Sequence, residues 1–216
     1  STTTTVHAVA CKEGMTWSTS TKTYSLNPYA HTIVVDGQFD FNPTNEKIPS
    51  CLDDVYVSWD ANRIYFGWSG MPFASGETVT AYFGDGVAGT STSDTPARPM
   101  PAGIKFLYHL RWQNTTLNPV LRKWNATTSA WEDTTIPVVL GYTGGGATYV
   151  EFSVLRSDIG NPQSLKWTGA VRDPINNVWR AASPMVISGG TCWFGPYYMD
   201  FNLLAATPPS NYTVLP

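Results

Sequence analysis

Charge is what this chain has least of. Asp, Glu, Lys and Arg make up 13% of its 216 residues, about half the roughly 25% of an ordinary soluble domain. The net charge of −3 is small and diffuse. No basic stripe marks a nucleic-acid surface. No apolar run approaches the ~20 residues of a bilayer-spanning helix, and no apolar pattern of helical period lasts beyond two turns. Cysteine is scarce. Cys11, Cys51 and Cys192 lie far apart and none belongs to a C-x-x-C pair, which argues against zinc. The signatures of catalysis are missing as well: H-E-x-x-H, G-x-S-x-G and G-x-x-x-x-G-K-[ST] do not occur. The glycines of Gly84–Thr90 follow a strand but come without a lysine. The neighbouring carboxylates Asp53-Asp54 and Glu132-Asp133 do not by themselves make the cleft-spanning pair of a glycosidase. The expectation is a protein that is not an enzyme.

Aromatic residues are abundant instead, with 9 Trp, 11 Tyr and 9 Phe. Such a chain can bury enough apolar surface to order itself. Few charges alongside much Thr, Ser, Gly, Asn and Pro is the habit of secreted β proteins. The chain starts at Ser1 rather than Met, as expected of a secreted protein whose leader has been removed or of a trimmed chain. Asn114, Asn125 and Asn211 each open an Asn-x-Thr triplet, the acceptor pattern for N-glycosylation. In an oxidising compartment one disulfide and one free thiol is the simplest arithmetic. Cys11 with Cys51 is the first choice, since it would tie an N-terminal arm to the start of the central hairpin.

That hairpin is Asp53–Gly70. Val55, Val57 and Trp59 alternate with Tyr56 and Ser58; Ile64, Phe66 and Trp68 alternate with Tyr65 and Gly67; Asp60-Ala61-Asn62-Arg63 supplies the turn. One bulky apolar face has to be covered, which predicts a second sheet and an antiparallel, jelly-roll-like β-sandwich. About a dozen short strands are expected, with at most one or two short helical turns, one of them Leu155–Ile159 stopped at Gly160. Further strands are read at His31–Gly37, Glu77–Phe83, Ile104–Trp112, Ile136–Tyr142, Ala147–Val154, Ser164–Val171 and Val178–Ala181. A hairpin-like pair is read from Leu121–Asn125 to Ser129–Glu132. Asp85–Gly103 reads as a long surface loop, and Pro184–Gly190 as a loop or edge segment. Residues 1–30 form a Thr-rich, β-prone arm, packed on or exchanged with a sandwich made of residues 31–216.

Three pieces in order resemble the family 9 carbohydrate-binding modules and the related DOMON domains. They are Ile33-Val34-Val35-Asp36-Gly37, the Asp54–Asp60 strand with Arg63–Gly67, and Tyr149–Leu155 running into a one-turn helix ending at Gly160. The resemblance spans roughly residues 33–171. It implies a β-sandwich, often with bound calcium, and sugar or haem binding in different branches.

Four chemistries follow. Trp112, Trp124, Trp131, Trp179 and Trp193 lie near turns or beside Asn, Arg and Thr, where their rings could stack on the apolar faces of sugars. Asp36, Asp40, Asp53 and Asp54 flank one irregular loop and could converge on calcium. Haem, as used by the DOMON branch, would need Met71 and His109 as axial ligands, against their commoner roles as core filler and partnered strand histidine. Finally, the arm could lend a strand to a neighbouring copy. The expected protein is therefore a secreted, extracellular sandwich that binds carbohydrate or polymerises with copies of itself into a filament, tube or surface layer.

Overall fold

Period-two alternation runs through most of the chain, and the chain folds accordingly. The structure, a computed structural model, describes residues 2–10, 18–26, 29–70, 72–73, 76–94, 100–114, 117–144, 146–174, 178–188, 191–194, 197–205 and 212–215. Its strands in chain order are β1 (Thr2–Ala10), β2 (Ser18–Leu26), β3 (Lys47–Ile48), β4 (Asp54–Trp59), β5 (Arg63–Ser69) and β6 (Thr78–Gly84). β7 (Tyr108–Gln113), β8 (Leu117–Asn125), β9 (Ala130–Asp133), β10 (Val139–Gly141) and β11 (Tyr149–Leu155) follow. A single 3₁₀ turn, Ser157–Ile159, separates these from β12 (Ser164–Asp173), β13 (Val178–Ser183), β14 (Met185–Ser188), β15 (Thr191–Phe194), β16 (Tyr198–Asn202) and β17 (Thr213–Leu215).

Two antiparallel sheets pack face to face as a β-sandwich. One has the order β10-β11-β5-β4-β3; the other runs β17-β16-β12-β6-β7-β8-β9, with β13 also pairing β12. β12 is long enough to serve two partners along one edge, β16 at Ser164–Trp167 and β13 from Gly169 to Asp173. β1 pairs with β2 as a sheet of its own, as does β14 with β15.

The central hairpin behaves as its pattern requires. Asp60 closes the turn by accepting the N–H groups of Asn62 and Arg63 at 2.7 Å on Oδ1, a side chain standing in for a backbone turn carbonyl. Val55, Val57, Trp59, Ile64, Phe66 and Trp68 point into the core with Val150, Phe152 and Val154 of β11. The facing sheet supplies Val79, Ala81, Phe83, Leu110, Trp112, Leu165, Trp167 and Phe201. Rings meet across the gap: Phe66 lies 5.3 Å from Phe83 and 6.4 Å from Trp167, and Trp59 lies 5.8 Å from Phe201. Each such ring withdrawn from water contributes about 1.5–3 kcal/mol before entropy is counted.

Several expectations change at this level. Residues 31–37 form no strand. They run extended across the outer face of the five-stranded sheet; His31 N donates to Trp59 O, but Val34 donates to the Asp40 carboxylate, and Asp36 and Gly37 to that of Glu151. The strand expected at Ile104–Trp112 begins only at Tyr108, with Lys105 and Phe106 held by isolated bridges to Gly86 and Thr90. Ile136–Tyr142 shrinks to Val139–Gly141, while Pro184–Gly190 contains the strand β14. The one-turn helix stands where its Gly stop placed it, with Gly160 at φ 85°.

Phe66 has no exposed surface and sits where the two sheets' aromatic contacts cross. Phe66→Ala is expected to cost about 3–5 kcal/mol, read as a lowered midpoint in chemical denaturation. A loss under 1 kcal/mol would show that the sheets do not meet there.

Candidate functional site

The outer face of the five-stranded sheet is not open to solvent. Strand alternation puts Tyr56, Ser58, Tyr65, Gly67, Tyr149, Glu151 and Ser153 on it, and residues 29–46 cross over them as a strap. Three carboxylates fasten the strap. Glu46, with no exposed surface, accepts from Tyr29 Oη at 2.9 Å, His31 Nδ1 at 2.8 Å and Ser58 Oγ at 2.6 Å on Oε1, and from Asn42 N at 2.6 Å on Oε2. Asp60 accepts on Oδ2 from Thr32 Oγ1 at 2.9 Å and Tyr65 Oη at 2.6 Å. Glu151 accepts from the N–H groups of Asp36 and Gly37 at 2.9 and 2.8 Å on Oε1, and from Tyr149 Oη at 2.7 Å on Oε2.

Glycine makes room for this layer. Register aligns Tyr56, Gly67, Glu151 and Gly141 in one row across β4, β5, β11 and β10. A Cβ on Gly67 would stand 2.7 Å from the Phe41 ring, and one on Gly141 would stand 2.5 Å from Glu151 Oε1 and 2.6 Å from Gly37 N. Phe41 and the Asp36-Gly37 turn therefore approach the sheet only because those positions lack side chains.

Proton affinities record the balance of burial and hydrogen bonding. Burial pushes the Glu151 carboxyl above its ordinary range, opposed by its Tyr149 and backbone hydrogen bonds and reinforced by Asp40. Burial presses Asp60 upward as well, but the hydrogen bonds from Tyr65, Asn62, Arg63 and Thr32 outweigh it, and its pKa falls. Burial beside Glu46, Asp54, Asp60 and Glu151 drives the phenols of Tyr29, Tyr56, Tyr65 and Tyr149 upward, so they stay protonated donors.

The outer face of the eight-stranded sheet carries a second polar cluster. His109, with no exposed surface, stacks on Tyr82 at 4.1 Å. Its Nε2 lies 2.7 Å from Thr80 Oγ1 and its Nδ1 3.1 Å from Asp94 Oδ2. Arg122 also pairs with Asp94 and, at 2.8 Å, with Asp133. Hydroxyl, imidazole and carboxylate stand in the order of a nucleophilic relay. Thr80 is only 1% exposed, however, so no substrate reaches its hydroxyl in this conformation. The chain of bonds acts instead as a tie, holding the Asp85–Phe106 loop to the sheet through Asp94. Burial raises the Asp94 pKa, but hydrogen bonds and charge from His109 and Arg122 bring it down to about 2.

Of the tryptophans expected to stack on sugars, two are interior. Trp112 is 3% exposed and packs on Phe73, Tyr142 and Phe152. Trp131 is 7% exposed, lies against Tyr82 and His109, and donates from Nε1 to Thr92 O at 3.1 Å. Both are corrections, because a ring walled in on its faces offers nothing to a ligand. Trp179 is half-buried under the Arg172 guanidinium. The side chain of Trp193 lies outside the described residues. Trp124 lines an open groove, of about 360 Å³, with Lys123, Asn125, Glu132, Asp133 and Thr134 at the β8–β9 hairpin. There Glu132 accepts from Asn125 Nδ2 at 3.0 Å on both oxygens and from Thr128 Oγ1 at 2.7 Å.

The four aspartates expected at a calcium ion serve separate partners. Asp36 Oδ1 accepts from Gln38 N at 2.8 Å and Asp40 Oδ2 from Val34 N at 2.8 Å. Asp53 is clamped by Arg180 at 2.8 and 3.1 Å, and Asp54 meets Lys47 at 2.7 Å and Tyr56 Oη at 3.2 Å. Among the described residues no group of three or more His, Cys, Asp and Glu is placed to hold a metal ion. Of the haem pair, Met71 lies outside the described residues, and His109 has both ring nitrogens engaged.

The Asn114 sequon is a correction. The Nδ2 of Asn114 is turned inward, donating to Phe73 O and, at 3.1 Å, to Tyr142 Oη, so it is not presented to a glycosylating enzyme. Asn125 stands on the β8–β9 turn, while Asn211 lies outside the described residues. Cys51 is buried and disulfide-bonded; Cys11 lies outside the described residues, as does the Cys192 side chain. Among the described residues no helix is long and apolar enough to cross a membrane.

Alternation marked Glu151 as the outward position of an apolar strand, but nothing in sequence marked it or Glu46 as strap anchors. No family model matches the sequence, and no curated protein matches it.

Two variants test these clusters. Glu151→Ala leaves the Asp36 and Gly37 N–H groups without their acceptor and should cost about 2–3 kcal/mol, with faster hydrogen exchange at both amides. Unchanged exchange would show the strap is held otherwise. For Asp94 the depressed pKa means stability fully present above the ordinary value near 3.8 and lost as pH falls through about 2, a contribution of about 2 kcal/mol. Wild type should therefore exceed Asp94→Asn in stability at pH 6, and the gap should close between pH about 4 and about 2. A gap independent of pH would refute the tie.

Proposed function

We propose that this protein is an extracellular, non-catalytic structural subunit that assembles with copies of itself through its N-terminal β-arm. The observation that carries this reading is the status of β1 and β2. Nine residues of each pair with one another, and among the described residues neither joins a sheet of the sandwich. The core described is built from rings of the sandwich strands: Phe66, Phe83, Trp68, Trp167 and Phe152 have no exposed surface. Two long strands outside the sandwich sheets would offer outer edges to another chain. The low surface charge suits close packing of copies.

A second reading has its own support. The Trp124 groove combines a half-buried indole with Asn125, Glu132 and Asp133, the mixture of ring and hydrogen-bonding groups that sugar sites use. The resemblance to family 9 modules points the same way.

Sedimentation velocity and negative-stain microscopy decide the first reading. Wild type should form oligomers or filaments in a concentration-dependent way, and deletion of residues 1–11 should leave a monomer; a monomeric wild type at all concentrations overturns it. For the second, a glycan array should show binding that Trp124→Ala weakens at least tenfold with little change in stability. A blank array removes the sugar reading.

A further inference from the structure

Strand edges differ sharply in how they are guarded. At the rims of the sandwich, β3 is two residues long, β10 three and β17 three. The outer edge of β8 beyond its pairing with β9 carries Pro119, which has no N–H to offer. Short strands and proline are how sheets avoid pairing with foreign strands. The hairpin of β1 and β2 has neither protection. Both strands are nine residues long, and neither contains Pro or Gly. β2 carries Lys22, a charge that guards an edge, whereas β1, Thr-Thr-Thr-Thr-Val-His-Ala-Val-Ala, contains no Asp, Glu, Lys or Arg.

The identity of the partner follows from that last difference. When a strand pairs with its own copy about a twofold axis, each residue meets itself or a near neighbour, and any charge near the axis meets its like at a cost. β1 has no such charge to oppose. Its threonines and valines are also residues that pair well across strands.

We infer that the outer edge of β1 is the docking site for β1 of a second copy, joined antiparallel to make a four-stranded sheet in the order β2-β1-β1-β2. This rests on the self-assembly reading and names its contact. The contact is isologous and closes at two copies, so a longer filament would need a second contact elsewhere on the subunit.

Neighbouring N–H groups in an antiparallel strand alternate between the two sides. Of Thr5→Pro and Val6→Pro in the full chain, one therefore removes an N–H directed at β2 and the other an N–H directed outward. Hydrogen exchange along Thr21–Tyr24 identifies which variant keeps the hairpin. That variant should lose association by at least tenfold in sedimentation velocity. Because proline also constrains the backbone on both sides, a charge pair gives the second measurement. Val6→Lys and Val6→Glu, each at the middle of β1, should associate poorly alone and recover at least tenfold when mixed.

Three results would count against the inference, and they are distinguishable. If wild type assembles, requires residues 1–11, and yet tolerates the hairpin-preserving proline, assembly stands and the β1 edge is not the contact. Mixed Lys and Glu variants that associate no better than either alone also overturn β1-to-β1 pairing. A monomeric wild type overturns the assembly reading, and this contact with it.

Discussion

The structure depends on carboxylates buried under a strap. A sandwich sheet ordinarily shows water its outer face, and polar residues there need no partners. Here the five-stranded sheet is covered on both faces, by the second sheet within and by residues 29–46 without. Glu46, Asp60 and Glu151 make the outer covering possible, because each accepts several donors drawn from both the strap and the sheet. An unpaired buried carboxylate would be costly. Fully paired, these three convert that cost into a fixed path for the strap, and Phe41 can then settle over Gly67.

The second sheet repeats the arrangement with other chemistry. Asp94 carries the Asp85–Phe106 loop onto His109 and Arg122, and Trp131 fixes the same loop through Thr92. Glu151 and Asp94 respond to acid in opposite senses, while Asp60, also held low, follows Asp94. Glu151 is pushed above its ordinary range, so the folded state gains from its protonation as pH falls through the raised value. Asp94 is held low, so its contribution persists to more acidic conditions and then vanishes. Falling pH therefore protonates Glu151 first and releases the loop from Asp94 only near pH 2.

A closed, doubly covered sandwich leaves little of itself for binding. Most of the large rings among the described residues are committed to the core or to a covering layer. Among the described residues, open surface includes a cleft of about 390 Å³ beside the strap, lined by Thr32, Asp60, Arg63, Tyr65 and Ser153, and the groove under Trp124 at the β8–β9 turn. Phe39, 44% exposed, caps the strap's aromatic cluster against Tyr56 and Tyr149.

Sequence alone determined the elements whose cause is local. Alternation placed β4, β5, β6 and β11; Asp60 marked the hairpin turn; Gly160 marked the end of the 3₁₀ turn. Each follows from the backbone preferences and side-chain directions of a few consecutive residues. Tertiary structure decided everything that depends on what lies opposite. Residues 31–37 have the composition of a strand, but the carboxylates of Asp40 and Glu151 hold the N–H groups of Val34, Asp36 and Gly37. Trp112 and Trp124 look alike beside turns, yet one is sealed by Phe73, Tyr142 and Phe152 while the other lines an open groove. Asn114 reads as a surface sequon until Phe73 and Tyr142 claim its amide. Burial is a property of pairs distant in sequence, and no local pattern encodes which partner arrives to cover a given face.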